Sequence, residues 1–77
     1  MILLGASLLF GVVDINNASK KELATLKGIG VKKADAIIKY RGLSCFKSIA
    51  DFTAVKGIGK KTLEKNIDNL TLGKCNK

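Results

Sequence analysis

The sequence predicts an all-α domain made of two helical hairpins on one shared core. Three observations carry this. The tetrapeptide Lys27-Gly28-Ile29-Gly30 returns 29 residues later as Lys56-Gly57-Ile58-Gly59, and a repeat of that length is one supersecondary unit. Apolar residues recur at helical spacing on both sides of each copy. No segment shows strand alternation, and the chain contains no proline. Neither hairpin could bury its apolar face alone, so stacking the two gives four short helices, a connecting loop and one core.

Residues 1–13 are uncharged and mostly apolar. As a helix they would reach roughly 20 Å, short of a ~30 Å hydrocarbon core. The length suits the apolar region of an export signal, although no Lys or Arg precedes it and no Ala-x-Ala site ends it. A membrane tether and a helix packed on the domain are the other readings of this leader. Residues 14–18 form a polar lead-in with Ile15 as a core anchor. Ser19 and Glu22 have capping-box spacing and open a helix over 19–26, with Leu23 and Leu26 on its inner face. Gly28 and Gly30 stop it. A second helix is expected over 31–41, with Ala34, Ile37 and Ile38 inward, the cations outward and Gly42 as C-cap. Residues 42–47 are a loop. Ser48 then serves as N-cap and Asp51 as first-turn acid for a third helix over 48–55, which buries Ile49, Phe52 and Val55. A fourth runs over 60–69 with Leu63, Ile67 and Leu70 on one face. The domain thus spans residues 14–72, and 73–77 form a polar tail.

The charge is unevenly placed. The chain carries 14 Lys and Arg against 6 Asp and Glu, for a net charge of +8. Lys27, Lys32, Lys33, Lys56, Lys60 and Lys61 all lie in residues 27–33 and 56–61, which hold no acid. An anionic partner follows: nucleic acid, an acidic membrane or an acidic protein. After each Gly-Ile-Gly a helix begins, and its first N–H groups have no intrahelical partner. A glycine there lets a phosphate approach the main chain, with the lysines adding long-range attraction. Two such seats suit the two strands of a duplex. Phosphate contacts position a protein and base-edge contacts specify sequence, so the binding is expected to be non-specific. One Tyr, three Phe and no Trp make a poor stacking platform for single strands. On the structural side, Ile29 and Ile58 are expected to plug the core beneath the turns.

At these residues a resemblance appears. Leu23-x-x-Leu26-Lys27-Gly28-Ile29-Gly30-Val31-Lys32-Lys33-Ala34-x-x-Ile37 resembles a helix-hairpin-helix DNA-binding motif. Phe52-x-x-Val55-Lys56-Gly57-Ile58-Gly59-Lys60-Lys61-Thr62-Leu63 resembles a second. With the lead-in Val13–Ser19 and the linker Cys45-Phe46-Lys47-Ser48-Ile49, the chain is similar to the ComEA-type competence proteins over residues 13–72. The resemblance implies a tandem helix-hairpin-helix fold, a SAM-like bundle. It further implies binding of double-stranded DNA through hairpin N–H groups, in a protein outside the inner membrane that hands incoming DNA to the uptake machinery during transformation. With only a short leader before the domain, the soluble periplasmic form is expected ahead of a membrane-tethered one.

Two cysteines without a histidine make no usual four-ligand zinc site, so no metal is expected at these side chains; the helix-hairpin-helix resemblance adds the alternative of a monovalent cation held by hairpin carbonyls. If the chain is exported, a disulfide between Cys45 and Cys75 is expected. It would close a loop of roughly 30 residues and contribute about 3–4 kcal/mol on a chain-entropy basis. No enzyme, catalytic residue or cofactor is expected: there is no His, no paired carboxylates and no base beside either cysteine. Asp35, which follows the first hairpin, reads as an i, i+4 partner of Lys39. Two other functions fit the same cationic face. One is a helical protein-interaction or membrane-surface module, and the other is an accessory DNA-binding domain of a repair system.

Overall fold

A computed structural model describes residues 12–75. The expected leader, apart from Val12 and Val13, lies outside the described residues. The elements run β1 (Val13–Asp14), α1 (Lys20–Leu23), α2 (Val31–Leu43), a 3₁₀ helix (Ile49–Ala54), α3 (Lys60–Asn66), a 3₁₀ turn (Ile67–Asn69) and β2 (Leu70–Thr71). The fold is mostly helical, as expected, with one addition. β1 and β2 pair in parallel, Val13 opposite Leu70 and Asp14 opposite Thr71. The Ile15 N–H donates to the Thr71 carbonyl at 3.0 Å and extends the pairing. Two-residue strands carry no alternation to read, so no strand was expected.

The capping box at Ser19 forms in both directions: the Glu22 N–H donates to Ser19 Oγ at 3.1 Å, and the Ser19 N–H donates to Glu22 Oε1 at 2.8 Å. α1 nevertheless stops at Leu23 instead of 26. The Thr25 hydroxyl donates to the Glu22 carbonyl at 2.6 Å, and the chain tightens to i→i+3 bonds through Leu26. α2 runs past 41 to Leu43, so Gly42 lies within the helix and is not its cap. The end comes at Ser44, whose N–H donates to the Tyr40 carbonyl while its backbone turns extended. The expected helix 48–55 is a 3₁₀ helix held by bonds such as Asp51 N–H to the Ser48 carbonyl. Ser48 makes no side-chain cap there. Asp51 instead accepts from the Lys47 N–H at 3.0 Å.

The expected helix 60–69 tightens to 3₁₀ after Asn66. Ile67 is then 47% exposed and Asn66 only 1% exposed, the reverse of a straight helix with Leu63, Ile67 and Leu70 inward. Ile15, Leu23, Leu26, Ala34, Ile37 and Phe52 form the heart of the single core, beneath both hairpins. Tyr40 stacks on Phe46 at 5.0 Å, and Phe46 meets Phe52 edge-on at 5.7 Å. Arg41 does not face solvent freely: its guanidinium donates to the Ile15 carbonyl at 3.1 Å and the Ala18 carbonyl at 2.6 Å. Burial lowers its pKa and the charge of Asp14 raises it, leaving a net decrease.

The folded body also extends beyond 14–72 at both ends. Val13 is buried in the core. Gly73 donates its N–H to Asp14 Oδ1 at 3.0 Å, and the carbonyls of Gly73 and Lys74 accept from the side chains of Asn16 and Asn17. Cys75 is joined to Cys45 by a disulfide across 30 positions, with Cα atoms 5.7 Å apart. Among the described residues, no helix is long and apolar enough to cross a membrane.

Candidate nucleic-acid interface

The two tetrapeptides adopt one conformation twice. Gly28 and Gly57 take φ of +75° and +93°, the left-handed region that glycine enters without a Cβ penalty. Gly30 and Gly59 are extended N-caps, with φ and ψ of −101° and −162° and of −99° and −178°. The internal bonds repeat too. The Ile29 N–H donates to the Leu26 carbonyl as Ile58 does to Val55, and Ala34 donates to Gly30 as Leu63 does to Gly59. Ile29 and Ile58 are each 3% exposed, so their side chains are core plugs. Only the hairpin backbone around them faces outward.

The hairpins lie side by side and touch reciprocally. A Cβ built on Gly28 would sit 3.8 Å from Thr62 Oγ1, and one built on Gly57 would sit 3.5 Å from Lys33 Cε. Thr62 follows the second hairpin at the position Lys33 holds after the first, the same 29 residues on. The pair is therefore related by an approximate twofold axis. A Cβ on Gly30 or on Gly59, by contrast, would meet nothing within 4 Å. These two glycines keep open the space in front of the helix starts. The N–H groups ahead of the bonds from Ala34 and Leu63 have no helical partner and carry the positive end of the helix dipole.

Lys27, Lys32, Lys56, Lys60 and Lys61 are exposed around this opening. Lys33 differs: it is half-buried, its stem packs on Gly57, and its Nζ donates to the Gly28 carbonyl at 3.2 Å. Four of the six acids are engaged elsewhere, and Glu64 and Asp68 follow the second hairpin on its C-terminal side. Glu22 caps α1, Asp14 holds the chain ends and Asp51 takes the Lys47 N–H. Asp35 pairs with Lys20 at 2.9 Å, not with Lys39; both partners are about half exposed, so the pair adds little stability. The field over the hairpins is left positive.

One residue at this site was not foreseen. The Asn66 carboxamide accepts from the Lys27 N–H at 2.8 Å and donates to the carbonyls of Lys27 and Thr62, both at 2.9 Å. It joins the first hairpin to the helix that follows the second. The sequence did hold a signal: aligned by the repeat, Asn66 stands where the first copy has the apolar Ile37.

A family model described as a helix-hairpin-helix motif matches residues 10–71. ComE operon protein 1 of Bacillus subtilis (strain 168) is 44% identical over 62 residues, covering 79% of this chain and 30% of that protein. An uncharacterized protein of Haemophilus influenzae is 45% identical over 60 residues, covering 75% of this chain and 54% of that one. The kinesin-like protein KIN-10B of Oryza sativa subsp. japonica is 36% identical over 58 residues, covering 73% of this chain and 8% of its own. The chain thus spans about half or less of the length of the relatives it matches.

Proposed function

This chain belongs to the helix-hairpin-helix family, its likeness to ComE operon protein 1 bears out the ComEA-type resemblance, and on that basis we infer that it binds double-stranded DNA without sequence preference. One observation carries the reading. Gly30 and Gly59 have ordinary backbone angles and open space at Cβ, so the fold itself does not require glycine at either place. What glycine supplies there is access for a phosphate to the main-chain N–H groups of α2 and α3. Lys27, Lys32, Lys56, Lys60 and Lys61 attract the backbone, with the Gly28-Ile29-Gly30 and Gly57-Ile58-Gly59 turns as the two seats. Each strand of the duplex takes one seat. Tyr40 and Phe46 are stacked on each other inside the fold, which favours duplex over single strands.

The biological setting is DNA uptake during transformation, with the domain on the periplasmic side, free or tethered, passing duplex to the uptake machinery. Similarity to a ComE operon protein supports this setting. So does the Cys45–Cys75 bond, since disulfides persist in oxidising compartments. The domain is expected to act by binding, without catalysis.

The test is a titration of labelled duplex and single-stranded DNA with residues 12–77 at several salt concentrations. If about four to six lysines neutralise phosphates, log K falls against log salt with a slope of roughly −4 to −5. Gly30→Val and Gly59→Val each weaken binding while helicity is kept. Equal affinity of both variants with the parent, or no preference for duplex, refutes the reading.

A further inference from the structure

We propose that Asn66 is a positioning residue for duplex binding, holding the first hairpin in a fixed relation to the second so that both phosphate seats meet the duplex together. The inference rests on the duplex-binding reading above. It comes from three independent features of the fold.

The first is the break in the repeat. Ile37 is fully buried in the core, and its counterpart Asn66 is as deeply buried yet polar. Burying a carboxamide where an isoleucine serves elsewhere brings no hydrophobic gain. The second is what the carboxamide does. It pairs with both backbone groups of Lys27, 39 residues away, and with the Thr62 carbonyl of its own helix. No apolar side chain could specify that position of the Lys27 peptide. The third is the neighbourhood. Thr62, anchored by Asn66, is also the residue lying against Gly28, and Lys33 lies reciprocally against Gly57. The approaches at Gly28 and Gly57 leave room for a methyl group and permit sliding. The Asn66 bonds are directional and do not.

A two-seat binder gains affinity from fixed geometry because the second contact then needs no further ordering. Loosening the seam should therefore cost duplex affinity even in a folded protein. Asn66→Ile places the first repeat's residue at this point. In the folded variant, duplex affinity is expected to fall about tenfold, and the salt slope to flatten to roughly −2 to −3, the value for one engaged hairpin. Gly59→Val, which closes one seat, provides the comparison. A structural role alone would lower the melting temperature and leave the affinity and slope of the folded protein unchanged; that result overturns the proposal. Asn66→Ala gives the same reading if Asn66→Ile does not fold. On the parent chain, amide exchange adds a check that needs no variant. The Lys27 N–H should stay protected in free and duplex-bound protein, and its deprotection on binding would overturn the proposal. Absence of duplex binding by the parent would remove both readings, whereas parent binding with unchanged Asn66 variants removes this one alone.

Discussion

Asn16 and Asn66 do the same job at opposite places in the chain. Asn16 accepts from the Phe46 N–H at 2.9 Å and donates to the Phe46 carbonyl at 3.0 Å, as Asn66 does with Lys27, and its second donor bond goes to Gly73. Each carboxamide imitates a strand partner for one residue of a loop. Asn16→Ala leaves these groups of Phe46 without a partner, so a loss of about 2–3 kcal/mol is expected in chemical denaturation. The glycines divide by the same logic. Gly28→Ala and Gly57→Ala place a Cβ at positive φ and should each cost about 1–2 kcal/mol, even though neither Cβ would clash. Gly30→Ala and Gly59→Ala should leave stability within about 0.5 kcal/mol of the parent. Equal losses at all four positions would contradict the assignment of turn and access roles. At Asp14, burial raises the carboxyl pKa, but bonds from the Asn17 side chain and from the N–H groups of Asn16, Gly73 and Asn17 outweigh it, and the net shift is downward. A carboxylate depressed by folding stabilises the native state fully above its unfolded pKa of about 3.9. That contribution is lost as pH falls through the lower folded value. Melting temperature should therefore decline below about pH 4, and Asp14→Asn should remove this part of the acid dependence.

The hairpins were legible because everything that builds them is local. Gly-Ile-Gly, the flanking Leu26 or Val55 and the lysines that follow sit within a few residues, and the same pattern occurs twice. The capping box at Ser19 was legible for the same reason. What the sequence hid depends on partners far along the chain. β1 has two residues and pairs with β2 nearly sixty positions away, so no alternation could announce it. The 3₁₀ form of Ile49–Ala54 follows from its shortness, since six residues fixed between a loop and a hairpin make few i→i+4 bonds. Asn66 reads as a polar residue one position before the expected inward Ile67. Its place in α3, the one Ile37 holds in α2, turns it inward, and the tightening of the chain after α3 leaves Ile67 exposed. Arg41 was placed outside by its charge, whereas the Ile15 and Ala18 carbonyls give it partners in the fold.

At the scale of the molecule, α2 separates two ends with different tasks. Thirteen residues at 1.5 Å each make it about 20 Å long. The first hairpin lies at its N-terminus, and at its C-terminus lies the loop that carries Cys45. That loop, the Asp14 lead-in and the Gly73–Cys75 tail form a clasp through the disulfide, Asn16 and Asp14. A chain this short buries a modest core and relies on such fastenings. The disulfide closes a 30-residue separation that encloses the second hairpin, so on a chain-entropy basis it contributes about 3–4 kcal/mol by restricting the unfolded chain. Reduction, or Cys45→Ser with Cys75→Ser, should lower the melting temperature by well over 10 °C, since about 1 kcal/mol shifts a domain of this size by 4–8 °C. Because the clasp and the first hairpin sit at opposite ends of α2, duplex affinity measured well below the new melting temperature should stay the same. A reduced protein that keeps its fold and loses duplex affinity would show that the clasp reaches the hairpins. The shortest route along the chain runs from the tail through β2 and the 3₁₀ turn to Asn66, whose bonds hold Lys27 of the first hairpin.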